Sequence, residues 1–143
     1  MMNLRFATVC RFVLATVLLI AGAMKLLHPA EFFSDLLGYR VALPEIFLRV
    51  VAIFLPWLEA IVGVGLLLNR WPETIRPLVA ALCLMFVVML AQAVVRGLDL
   101  NCGCFGAGAH GWFARPDVAL VRAALLFAAS VYVAIADVKP CRA

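Results

Sequence analysis

The chain has 143 residues, of which 67% are hydrophobic and 14% are charged, and its mean hydropathy of +1.12 lies outside the range of soluble globular proteins. The composition therefore excludes a protein whose main solvent is water. The formal net charge of +4 comes from Lys and Arg residues scattered around the ends of apolar runs. Because they form neither a basic face nor a nucleic-acid recognition motif, nucleic-acid binding is excluded.

Four apolar runs are each long enough to cross the roughly 30 Å hydrocarbon layer as a helix of about 20 residues. A spanning segment must satisfy its backbone polar groups internally, and the chain has too few strand-like alternations to close a barrel. The sequence therefore predicts an all-α integral membrane four-helix bundle, with residues 1–143 forming one domain. The predicted spans are residues 6–27, 49–68, 78–95 and 118–136.

The connection between the first two spans carries a short amphipathic pattern, "HPAEFFSDLLGYRVALPE". Its apolar side chains recur at helical spacing, and charged residues fall elsewhere on the helical wheel. We expect a short interfacial helix that Pro29 starts and Gly38 ends. Its apolar residues are Phe32, Phe33, Leu36 and Leu37.

The next connection, "NRWPETIRP" at residues 69–77, is predicted to be a tight turn with Trp71 as an interfacial anchor. Four spans place this turn and both termini on one side of the membrane. The amphipathic segment and a cysteine-containing loop, residues 96–117, lie on the other. Lys and Arg residues divide equally between the two sides, so the positive-inside rule gives no orientation.

The third connection contains "LDLNCGCFGAGAHG", in which Cys102 and Cys104 are separated by one glycine. Two sulfurs this close can form a small, strained disulfide, and strain makes such a bond a ready electron acceptor. His110 would stabilise a thiolate or move a proton, whereas Asp99 would oppose a thiolate; the alternative for His110 is a solvated surface residue. Two alternatives remain open: an unreactive structural disulfide, and a soft Cu(I) or Zn ion held by both thiolates and His110.

Two other cysteines, Cys10 and Cys83, fall inside the first and third spans. Free cysteine packs well in apolar interiors, so we expect both to be small buried residues. The redox hypothesis therefore concerns Cys102 and Cys104.

Glu59 stands in the middle of the second span, in "FLPWLEAIVGVGLLL". A carboxylate there is costly unless it faces the bundle interior, finds a partner or stays protonated, so Glu59 is a candidate functional residue. Lys25, near the end of the first span, is the best candidate for its partner. The alternative for Lys25 is to extend its ammonium group to the lipid headgroups.

Further polar and aromatic residues lie toward the cysteine-loop side. Gln92 and Arg122 suggest a polar cavity beneath the loop, and Trp57, Phe54 and Phe105 suggest a quinone pocket there. The alternative is that these aromatic residues serve as ordinary packing or as interfacial anchors.

With these features in place, the chain resembles the MauE family, within the wider DoxX-like set of four-span membrane proteins. The resemblance rests on "GAMKLLHPAEF", "PWLEAIVGVGLLL", "VVRGLDLNCGCFG" and "RPDVALVRAALL", in that order. It implies a bacterial inner-membrane protein that supports disulfide formation or maturation in the periplasm beside a thioredoxin-like partner. It also implies that Cys102 and Cys104 are the redox pair and that Lys25 and Glu59 are functional polar positions.

The chain is also functionally similar to DsbB and vitamin K epoxide reductase, which pass electrons from protein thiols to quinone, although it lacks their second cysteine pair on the reactive side. We therefore expect a thiol–disulfide oxidoreductase acting on a thioredoxin-like periplasmic protein or on secreted client thiols, with quinone as a possible cofactor. An oxidising disulfide persists outside the cytosol, which predicts a periplasmic cysteine loop and cytoplasmic termini. The alternative is a non-catalytic assembly factor or scaffold, or a copper- or zinc-handling protein.

Overall fold

The computed structural model describes residues 2–97 and 115–136. Within these ranges the chain forms helices joined by short connections, without β-strands, which confirms the predicted all-α class. The helices are α1 (Met2–Leu27), α2 (Pro29–Gly38), α3 (Glu45–Leu67), α4 (Pro72–Val95) and α5 (Pro116–Ala136).

The four long helices, α1, α3, α4 and α5, are each apolar and long enough to cross a membrane, as predicted. They pack as a bundle in which α1 lies between α3 and α5, and α4 contacts both α5 and α3. Each helix buries one side in the bundle and leaves many large apolar side chains exposed, as expected for surfaces that face lipid.

The α3 helix begins at Glu45, four residues before the predicted span. Pro44 precedes it, and the exposed side chains of Glu45 and Arg49 form an ion pair of 2.7 Å on its first turn. An (i, i+4) pair of this kind stabilises a helix by about 0.2–0.5 kcal/mol and so supports the polar start of α3.

The second connection is shorter than the tight turn predicted over residues 69–77. The helix α4 already begins at Pro72 and contains Pro77, so that prediction was wrong in its extent. Asn69 and Trp71 have positive φ angles of 52° and 46°, which reverse the chain within a few residues. Proline suits the first helical turn, where its missing N–H group has no intrahelical partner to lose.

The amphipathic segment forms α2 with the predicted bounds. Phe32 and Leu36 are buried against α3, Phe33 is half-buried and Leu37 is exposed. The α2 helix therefore covers the first half of α3 at the end of the bundle where α1 stops.

Close packing between α1 and α3 depends on two glycines. A Cβ atom on Gly22 would lie 3.1 Å from the Pro56 carbonyl oxygen and 3.2 Å from the Ala60 nitrogen, both backbone atoms of α3. Further along, a Cβ atom on Gly63 would lie 2.9 Å from Cγ of Leu19. Small residues let helix backbones approach in membranes, and here they bring Lys25 within reach of Glu59.

Candidate functional site

The bundle interior contains an ion pair between two spans. The ammonium group of Lys25, near the end of α1, donates a hydrogen bond of 2.5 Å to Oε1 of Glu59 in the middle of α3. Lys25 is 2% exposed and Glu59 is fully buried. Of the two alternatives for Lys25, the structure shows the interior pair and not extension to the headgroups.

Two aromatic rings complete the surroundings of the Lys25 ammonium group. The nitrogen lies 4.9 Å from the ring centroid of Phe32 in α2 and 4.5 Å from that of Phe86 in α4. Both distances fall within the range of cation–π attraction, which is strongest where water is excluded. Lys25 therefore connects α1 to α2, α3 and α4 through a single charged group.

The Glu59 carboxylate is only half satisfied. Its Oε2 atom is buried and has no hydrogen-bond partner among the described residues. A buried polar atom without a partner costs free energy, so its retention calls for an explanation. Elsewhere in the bundle interior, the side chain of Cys83 in α4 contacts that of Ser130 in α5.

A cavity of about 190 Å³ lies between α2, α3 and α4, on one side of Lys25. Its walls are mainly aromatic and aliphatic, and Asp35 of α2 is its acidic member. Burial raises the pKa of the Asp35 carboxyl group above its usual value, and the neighbouring Glu31 raises it further. The other lining residues are Phe32, Leu36, Tyr39, Val41, Leu43, Phe47, Leu48, Val51, Leu55, Met85, Phe86 and Met89.

Among the described residues, those predicted to line a quinone pocket or a polar cavity do not come together around this cavity. Trp57 is 57% exposed and lines an open groove of about 540 Å³ on the other side of Lys25, and Phe54 is 68% exposed. Arg122 lines a separate cavity of about 50 Å³ between α1, α4 and α5, and Gln92 is half-buried on α4.

The intramembrane cysteines occupy the positions expected of small core residues. Cys83 is buried, Cys10 is half-buried, and both are free thiols packed against the main apolar core. The predicted redox residues Cys102 and Cys104 lie outside the described residues, as do Phe105 and His110.

The two ends of the cysteine segment are described. It leaves α4 after Gly97 and returns at Arg115, just before α5. An Arg96 guanidinium nitrogen donates a hydrogen bond of 3.1 Å to the Arg40 carbonyl oxygen, which follows α2. The segment therefore starts at the end of the bundle that carries α2 and the C-terminal end of α1, where Lys25 is placed.

Sequence reasoning missed two members of this site, Phe86 and Asp35. Phe86 is one of many large apolar residues in α4, and nothing in its spacing singles it out. Asp35 was placed on the polar face of α2, whereas the packing of α2 on α3 turns its carboxyl group toward the cavity wall. The position of Asp35 on a short helix that lies between two spans is a signal that could have indicated a buried carboxyl group there.

Four apolar helices, with a buried ion pair between two of them, define a multi-pass helical membrane protein with a polar centre inside its bundle. The chain belongs to the MauE family, methylamine utilisation protein MauE, which it matches over residues 3–136.

Two methylamine utilization proteins MauE are similar to the chain. The protein from Paracoccus denitrificans is 40% identical over 99 residues, which cover 68% of this chain and 53% of that protein. The protein from Methylorubrum extorquens is 37% identical over 95 residues, which cover 64% of this chain and 50% of that protein. The matched regions thus span about half the length of these curated relatives. No solved structure matches the chain.

Proposed function

We propose that the chain is a membrane thiol–disulfide oxidoreductase that supports disulfide formation in a protein of methylamine utilisation. The link to methylamine utilisation comes from the names of the two relatives. One observation carries the proposal: the segment containing Cys102 and Cys104 leaves the bundle at the end where α1 stops, and Lys25, which pairs with Glu59 in the bundle interior, stands two residues before the end of α1. The cysteine segment thus leaves the bundle on the side from which Lys25 reaches the buried carboxylate of Glu59.

The chemistry is thiol–disulfide exchange. A client thiolate attacks one sulfur of the Cys102–Cys104 disulfide, the bond between these sulfurs breaks, and a mixed disulfide forms. The second client thiolate attacks the client sulfur of that mixed disulfide and releases the remaining cysteine as a thiolate. Two electrons and two protons have then moved from the client dithiol to Cys102 and Cys104. A two-electron acceptor must take them before the next cycle.

The client is a thioredoxin-like periplasmic protein or a secreted protein with a dithiol. A disulfide that acts as an oxidant survives in the periplasm and is reduced in the cytosol. The proposal therefore places the cysteine segment on the periplasmic side of the bacterial inner membrane and the termini in the cytoplasm.

Single cysteine substitutions test this function directly. In nanodiscs, the unmodified chain is expected to oxidise reduced thioredoxin, used here as the dithiol donor, and Cys104→Ser or Cys102→Ser is expected to abolish that oxidation. Neither variant can form the Cys102–Cys104 disulfide, so neither has a bond that the thiolate of reduced thioredoxin can attack. Cys10→Ala is the matched control and should retain activity, because Cys10 packs within the bundle.

The scaffold alternative predicts a different outcome. If thioredoxin oxidation is the same in both single serine variants as in the unmodified chain, Cys102 and Cys104 do not exchange electrons and the proposed function is wrong. A double serine variant that still supports growth on methylamine would then favour a scaffold whose loop only binds its client.

A further inference from the structure

The cavity between α2, α3 and α4 has the size of a small organic ring. Its volume is about 190 Å³. An apolar protein cavity of about 150 Å³ is large enough to hold benzene, so a substituted six-membered ring fits here.

The cavity also reaches the outer surface of the bundle. Leu43, Phe47 and Met85 line it and are 44%, 52% and 37% exposed, respectively. Phe47 and Met85 belong to spanning helices, whose exposed apolar surfaces face lipid. A ligand that enters here therefore comes from the bilayer, and an apolar tail on that ligand has a path outward.

The polar groups of the cavity determine which chemical group of a ligand can bind there. The Lys25 ammonium group carries three donors, and the structure shows Glu59 accepting one of them. Because the charge of Lys25 is already balanced by Glu59, an anionic ligand would add an unpaired charge to apolar surroundings. A neutral carbonyl oxygen is the better acceptor. Asp35 supplies a second polar group to the same cavity.

We propose that this cavity binds the head ring of a membrane quinone, with a ring carbonyl oxygen accepting a hydrogen bond from Lys25. The proposal rests on the proposed function for the source of electrons. The thiols of Cys102 and Cys104 become a disulfide, and the quinone takes up their two electrons and two protons to become a quinol. Quinone thus regenerates the oxidised cysteine pair.

Binding can be tested without activity by filling the cavity. The probe is decylubiquinone, added to the protein in nanodiscs, and the readout is the rise in Tm that a ligand of the folded state produces. Met89→Trp places an indole in the cavity, and Val88→Trp is the matched control because the neighbouring Val88 is 55% exposed on the lipid-facing side. We expect at least a tenfold loss of apparent affinity for Met89→Trp and less than a twofold change for Val88→Trp.

A second variant covers the case in which Met89→Trp does not fold. Leu43→Trp enlarges an exposed residue at the opening of the cavity and should weaken binding without filling the core. The proposal is overturned if decylubiquinone does not raise the Tm of the unmodified chain. It is also overturned if decylubiquinone raises the Tm of a folded Met89→Trp or Leu43→Trp variant as much as that of the unmodified chain.

Failure of this proposal and failure of the proposed function can be told apart. The double variant Cys102→Ser/Cys104→Ser cannot pass electrons but should still be stabilised by decylubiquinone. Stabilisation of the unmodified chain without thioredoxin oxidation supports the quinone site and contradicts the oxidoreductase function. Thioredoxin oxidation without stabilisation supports the function and overturns the quinone site.

Discussion

Replacing Glu59 with leucine while Lys25 remains is expected to lower the free energy of unfolding by about 3–5 kcal/mol. Lys25 is 2% exposed and its ammonium group would lose its carboxylate partner, keeping only the faces of Phe32 and Phe86. An unpaired charge in an apolar interior is among the most destabilising single changes known in proteins. Reversible unfolding in detergent micelles, followed by circular dichroism, measures the loss.

The double variant Lys25→Met/Glu59→Leu distinguishes the effect of an unpaired charge from the effect of altered side-chain packing. It removes both charges and both desolvation penalties, so most of the stability lost in Glu59→Leu should return. Glu45→Gln is the matched control, because the Glu45–Arg49 pair is exposed and such pairs contribute about 0–1 kcal/mol. The single variant Lys25→Met completes the cycle. If the double variant loses as much free energy of unfolding as Glu59→Leu and Lys25→Met lose together, Lys25 and Glu59 are not energetically coupled.

Gly22→Ala is expected to cost about 1–3 kcal/mol because the added methyl group would overpack the contact between α1 and α3. The methyl carbon would lie 3.1 Å from the Pro56 carbonyl oxygen and 3.2 Å from the Ala60 nitrogen. These are backbone atoms of a helix and cannot move aside individually, so the helices must separate. Thermal unfolding of the variant in micelles measures the cost.

Gly65→Ala is the matched control for that substitution. Its methyl group would lie 2.8 Å from Cδ1 of Ile75, which is the end of a side chain and can rotate away. We therefore expect a smaller loss at Gly65 than at Gly22, although the initial contact is shorter. Equal losses at the two positions would contradict the view that backbone contact between α1 and α3 sets their separation.

The helical architecture was predictable because each element has a strong local signal. Four apolar runs of spanning length gave α1, α3, α4 and α5, and Pro29 and Gly38 gave the bounds of α2. The Lys25–Glu59 pair was predictable as one of two alternatives, because a buried carboxylate needs a partner. The extent of the connection at residues 69–77 was not predictable, because proline marks both a turn and the first turn of a helix.

The surroundings of the ion pair depend on contacts between helices that are distant in sequence. Neither Phe86 over the Lys25 ammonium group nor Asp35 at the cavity wall has a periodicity that reveals it. Trp57 shows the opposite case: its residue type suggested a pocket, and its place on α3 leaves it 57% exposed. Residue chemistry therefore indicated the centre of the site, and tertiary packing determined its walls.

Thiol labelling in intact bacterial cells tests the redox exchange at Cys102 and Cys104 most directly. The sequence has five cysteines, the fifth being Cys141 near the C-terminus; in a chain carrying Cys10→Ala, Cys83→Ala and Cys141→Ala, Cys102 and Cys104 are the two cysteines left. A membrane-impermeant maleimide added outside the cells is expected to label them after treatment with a reductant and not before it. Labelling that needs no reductant and occurs only after the cells are broken would contradict an oxidising disulfide on the periplasmic side.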